Sequence, residues 1–122
     1  MTDIRLGLVE ARFADLVWSN EPLTTKELVA LCEKELNWKR TTTYTVLKKL
    51  CDRGIFATKD HMITALLSKN EFHAMQSERF VEQNFLGSLP AFLAAFTTRK
   101  TPTPEELEEI KKLLDSLGES AL

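Results

Sequence analysis

Cysteine, glycine and proline are all scarce in this chain of 122 residues, with two, four and four copies. Cys32 and Cys51 show neither CxxC spacing nor a neighbouring histidine cluster. That argues against a disulfide framework and a zinc site, and for reduced thiols. No metal and no other cofactor is expected. No apolar run approaches the roughly 18 residues a membrane span requires. The opening residues, Met1 to Arg5, lack the basic-then-apolar signature of a secretory signal, so a cytoplasmic location is the expectation. Gly-rich phosphate loops, metal-ligand spacings and nucleophile motifs are missing too, so enzymatic activity is not expected. His61 and His73 lack the partners of a metal site or catalytic pair. Glu105, Glu106, Glu108 and Glu109 read as a complement to a helix N-terminus rather than as paired catalytic carboxylates.

What is present is an uneven charge distribution. The net charge is −2, which alone argues against a nucleic-acid binder. Yet residues 37–59 hold Lys39, Arg40, Lys48, Lys49, Arg53 and Lys59 against Asp52 alone, while residues 61–122 are acidic on balance. Phosphate contacts are local, and screening acts over about 10 Å, so such a patch can still meet a polyanion. Its modest size suggests two copies acting together.

The patch lies on a segment with helical periodicity. Thr43, Val46, Leu47 and Leu50 fall at i, i+3, i+4 and i+7, the spacing of a buried face. Thr41, Thr42, Thr45 and Lys49 project from the other side, with Lys39 and Arg40 just before the first turn. β-Branched Thr is a weak helix former, and a face needing only solubility would carry Glu and Lys instead. Threonines flanked by cations suit phosphates and thymine methyl groups, so the segment reads as a DNA-recognition helix. Trp38 reads as a core plug, Cys51 as a small buried hydrophobe, and Gly54 as the residue that ends the helix.

Around it the pattern predicts a first helix from about Leu8 to Trp18, its apolar side formed by Leu8, Ala11, Phe13, Leu16 and Val17. Asn20-Glu21-Pro22 breaks it. Thr24 and Glu27 form a capping box for a second helix carrying Leu28, Val29, Leu31, Cys32 and Leu36. After the recognition helix come two strand-like segments, Ile55 to Thr58 and Met62 to Leu66, separated by Lys59-Asp60-His61. Three helices and a hairpin make a winged helix-turn-helix with a short, arginine-poor wing.

The C-terminal part reads as helical. Ser68 and Glu71 cap a long helix to about Phe85. A wholly apolar helix from Pro90 to about Phe96 follows, then a loop from Thr97 to Pro102. Thr103, Pro104 and Glu106 start a last helix to about Leu117. The apolar helix needs burial on every side, which the rest of this short chain cannot easily supply. The fold class expected is mainly α with a small β-hairpin: a winged helix-turn-helix DNA-binding domain over residues 1–68 and a helical dimerisation module over residues 69–122. Phe72, Met75, Leu86 and Leu113 join the candidate core and interface. Phe80, Phe85, Leu89, Phe92, Phe96, Leu107, Ile110 and Leu114 are the candidate contact between two copies. A homodimer sets two recognition helices about one DNA turn, roughly 34 Å, apart, or a multiple of it, and so implies a palindromic double-stranded operator.

The run Trp38-Lys-Arg-Thr-Thr-Thr-Tyr-Thr-Val-Leu-Lys-Lys-Leu50, followed by Arg53-Gly54-Ile55, resembles the pattern of the penicillinase-repressor family. Glu10, Trp18, Leu23 to Leu28, Phe85 to Leu89 and Glu105 to Leu107 fall in register with it. The resemblance implies a dimeric transcriptional repressor on palindromic operators, in which Thr42 and Thr45 meet base edges with Thr41 and Lys49 beside them. Lys39, Arg40, Lys48, Arg53 and Lys59 would neutralise phosphates. It further implies operators of β-lactam-resistance or related stress genes, and release through a membrane sensor-protease pathway that ends in cleavage of an Asn-Phe bond. That bond aligns with Ala95-Phe96, so Ala stands where those relatives carry Asn. Copper-responsive relatives carry a cysteine-rich tail, and the tail here has no cysteine. A rival reading is a winged-helix module that binds protein without sequence-specific DNA binding. Overall acidity and the short wing favour it; the basic threonine helix argues against it.

Overall fold

The computed structural model describes residues 5–121 of the chain. Residues 1–4, part of the stretch read as lacking a secretory signal, lie outside the described residues. The element order is α1 (Leu8–Asn20), β1 (Leu23–Thr24), α2 (Thr25–Leu36), α3 (Arg40–Asp52), β2 (Phe56–Lys59), β3 (Met62–Ala65), α4 (Lys69–Phe85), α5 (Leu89–Arg99) and α6 (Pro104–Ala121). The described chain is thus mainly helical, with a small antiparallel sheet in the winged-helix arrangement. It separates into two compact units, Met1–Arg79 and Phe80–Leu122, the division falling inside α4.

The first unit is built around a closed core. Phe13, Ala14 and Val17 of α1, Leu28 and Cys32 of α2, and Leu47 and Leu50 of α3 are buried against Leu23, Ile55, Phe56, Ile63 and Phe72. The helix ends follow local chemistry. The Thr24 hydroxyl accepts from the Glu27 N–H at 3.1 Å, and the Glu27 carboxylate accepts from the Thr24 N–H at 3.1 Å. Asn37, at φ 56°, ends α2 in the left-handed region, which Asn tolerates better than most residues. Gly54, at φ 81°, does the same beyond α3. Trp38 stacks on Phe13 with ring centroids 5.6 Å apart, plugging the turn between α2 and α3.

Four expectations need correction here. Leu8 is 84% exposed rather than on the core side; Leu6, just before the helix, packs against the core instead. The sheet has three strands in the order β1-β3-β2, not two, since Leu23 pairs with Ile63 and Thr24 with Met62. The wing turn is only two residues long: Lys59 pairs with Met62, and Asp60 and His61 take φ 52° and 63°. Two consecutive positive φ values mark the type I′ turn that suits a twisted hairpin. Phe72, considered for the C-terminal core or interface, belongs to the core of the first unit instead.

In the second unit Ser88 caps α5 through its hydroxyl, which accepts from the Ala91 N–H at 3.1 Å. Thr103 and Glu106 form a reciprocal box at α6. Both helices are longer than the sequence pattern suggests. Helix α5 continues to Arg99, and the Thr97 and Thr98 hydroxyls donate back to the Leu93 and Ala94 carbonyls. Helix α6 runs to Ala121. Phe80, Phe85, Phe92 and Phe96 form a chain of ring contacts with centroids 5.6 to 6.1 Å apart. No residue of α5 is buried.

Candidate nucleic-acid interface

Helix α3 is anchored on one side and open on the other. Thr43 is buried, its hydroxyl donating to the Lys39 carbonyl at 3.4 Å, so it serves the core alongside Leu47 and Leu50. Thr41, Thr42, Thr45, Lys48 and Lys49 are exposed. The Thr45 hydroxyl donates to the Thr41 carbonyl at 2.8 Å, which holds the side chain in place while its oxygen can still accept. The N-cap residue of α3, Lys39, makes no side-chain cap to the N–H groups of the first turn. Those groups therefore add a positive end to the charge of Lys39 and Arg40.

The cations differ in what holds them. Lys39, Arg40 and Lys59 are exposed, Lys59 standing at the end of β2 beside the wing turn. The Arg40 guanidinium lies over the Tyr44 ring, 5.5 Å from its centroid. Hydrogen bonding with Thr25, and then with Arg40, holds the Tyr44 phenol below its ordinary pKa. Lys48 pairs with Asp52 at 3.0 Å in the open i,i+4 arrangement that contributes little. Lys49 pairs with Glu10 of α1 at 2.9 Å. Arg53 is only 21% exposed; it pairs with the same carboxylate at 3.3 Å and donates to the Arg5 carbonyl at 2.6 Å.

Glu10 is thus the hub of one edge of this surface. Its Oε1 also accepts from the Gly7 N–H at 3.0 Å. That backbone donor, and next Lys49, hold the carboxyl below its ordinary pKa. Every residue assigned from the sequence to base or phosphate contact sits in the first unit, on α3, at its ends, or at the wing. Two members of the surface carry no assigned role in the sequence reading. Tyr44 had a legible signal in its i,i+4 spacing from Arg40. Glu10 entered only as a residue in register with the family pattern, because its cationic partners, Lys49 and Arg53, are more than thirty positions away in sequence. Cys51 is half-buried with its Sγ 3.6 Å from the Thr58 hydroxyl, and burial pushes the Cys32 thiol up. Among the described residues no cluster of His, Cys, Asp and Glu could hold a metal ion. No described helix is long and apolar enough to cross a membrane.

Among curated proteins, none matches this chain. A family model described as penicillinase repressor matches residues 6–116, which include α1 to α5, most of α6, the threonine face and the wing. The chain belongs to the penicillinase repressor family.

Proposed function

We propose that the protein is a DNA-binding transcriptional repressor, a regulator rather than an enzyme, that acts in the cytoplasm as a homodimer on palindromic operators. The observation that carries the reading is the open face of α3, where Thr41, Thr42 and Thr45 stand exposed over a core that fixes the helix. Thr offers a methyl group for thymine and a hydroxyl for a base edge or phosphate. Thr42 and Thr45 read bases, with Thr41 beside them. Lys39, Arg40, Lys48 and Lys59 neutralise phosphates and fix register without reading sequence. Family membership supports the repressor role.

Residues 1–68 carry the DNA-binding function in this reading and residues 69–122 the dimerisation. Phe80, Leu89, Phe96, Leu107 and Leu114 are exposed and Phe85, Phe92 and Ile110 partly so, leaving apolar faces that a second copy can cover. Target genes of β-lactam resistance or a related stress, with release through a sensor-protease pathway near Ala95-Phe96, complete the proposal. Footprinting the promoter upstream of its own gene tests it. A protected palindrome whose affinity falls steeply between about 50 and 200 mM salt is expected. Binding that is indifferent to salt, or no protected site, refutes the DNA reading.

A further inference from the structure

Glu10 ties Lys49 of the recognition helix, and Arg53 at its C-terminal end, to α1. Its side chain is 18% exposed, whereas Asp52, in the neighbouring Lys48 pair, is 67% exposed. The same carboxylate is fixed by the Gly7 N–H, and Arg53 is held a second time by the Arg5 carbonyl. An exposed i,i+4 pair opens readily when a phosphate arrives. A carboxylate anchored by a backbone donor and two cations does not.

Affinity for any DNA backbone grows with the number of phosphates the protein neutralises, and the salt dependence counts them. We propose that Glu10 is a positioning residue that acts as an internal competitor of phosphate, engaging Lys49 and Arg53 and so limiting the protein's affinity for DNA of any sequence. Low affinity for random DNA matters because a genome offers a vast excess of such sites. Occupancy then depends on the base contacts of the threonine face. This inference rests on the DNA-binding reading above.

The test measures binding of the full chain to a random-sequence duplex over a range of salt. Glu10→Gln keeps the side chain's size and its acceptor for Gly7 but removes the charge that pairs with Lys49 and Arg53, although Arg53 still donates to the Arg5 carbonyl. It should steepen the slope of log affinity against log salt by about 1–2 per protomer and tighten binding about tenfold at low salt. Asp15→Asn, on the same helix, removes an equal charge that pairs with Lys69 at 3.0 Å; it should change the slope by less than about 0.5. The double variant Glu10→Gln, Lys49→Gln should recover about 1 of the gained slope. Melting curves verify that each variant is folded. If Glu10→Gln is unfolded at the assay temperature, Glu10→Asp replaces it: one methylene shorter, it cannot reach both cations, and a partial steepening is expected. An unchanged slope in the variant used, a weaker complex, or an equal effect of Asp15→Asn overturns the inference while the unaltered protein's salt-dependent binding leaves the DNA reading standing. Failure of the unaltered protein to bind the duplex overturns that reading and this inference with it.

Discussion

The two units of this chain use the same local rules and reach different degrees of closure. Both start helices with reciprocal Thr–Glu boxes, at Thr24 and Glu27 in the first and at Thr103 and Glu106 in the second. The first unit then buries Phe13, Leu28, Leu50 and Ile63 completely. In the second, Phe80, Phe96, Leu107 and Leu114 remain about half exposed. Capping decides where a helix begins, but most helical stability in a protein comes from packing an apolar face. The first unit has its packing within itself. The second leaves its apolar faces exposed.

Removing a core ring should expose that difference most strongly. Phe13→Ala deletes a fully buried side chain that also stacks on Trp38. It should cost about 3–5 kcal/mol of stability in the first unit. Denaturant melts at two protein concentrations check it: the loss should be the same at both. A loss that shrinks at high concentration would mean that the first unit also depends on association.

Phe92→Glu tests the other side of the comparison. A charge placed among the rings of Phe80, Phe85 and Phe96 has no partner there, and its desolvation is unfavourable. Dimerisation should weaken about a hundredfold or more, seen as a monomer in sedimentation with the first unit's melting unaltered. A variant that still sediments as a dimer removes Phe92 from the interface.

Thr45→Ala acts on the face between these extremes, exposed by design of the fold rather than for want of a partner. It should relax discrimination between operator and random DNA by about 1–3 kcal/mol without changing stability or association. Equal losses on both DNAs would show a phosphate contact instead.

What was legible in the sequence was local. The boxes at Thr24, Ser68 and Thr103 are written within four residues, and the apolar stripe of α3 within eight, so both survive in the structure. Strand β1 was not legible, since two residues become a strand only by pairing with Met62 and Ile63. The wing turn hid for another reason: Asp60 and His61 adopt positive φ without the glycine that usually marks such a turn. The end of α5 was misplaced because Thr97 and Thr98 look like loop residues until their hydroxyls bond back to the helix. At the candidate interface, the threonine face followed from periodicity. The clamp on Lys49 and Arg53 did not, because it joins α1 to α3 across the fold.

Acid should affect the two units unequally, and the sign follows from the caps. Glu10, Glu27 and Glu71 in the first unit and Glu106 in the second each accept a backbone N–H three positions earlier. Those bonds, with Gly7, Thr24, Ser68 and Thr103 respectively, hold all four carboxyls below the ordinary value of 4.5. A carboxyl whose folded pKa is depressed contributes stability above its unfolded value, and that contribution disappears as pH falls through the folded one. Stability should therefore hold at neutral pH and decline below about pH 4.5, more steeply in the first unit, which has three such groups against one. Glu10 adds to the asymmetry, because its protonation also releases Lys49 and Arg53. Thermal melts between neutral and acid pH, followed by tryptophan fluorescence for the first unit, measure this directly, since Trp18 and Trp38 both belong to that unit. Glu27→Gln keeps an acceptor for the Thr24 N–H without the charge, so it should remove one share of the acid sensitivity and shift stability only slightly at neutral pH. An acid response unaltered by that change would mean that the caps are not its source, and that the two units differ in packing alone.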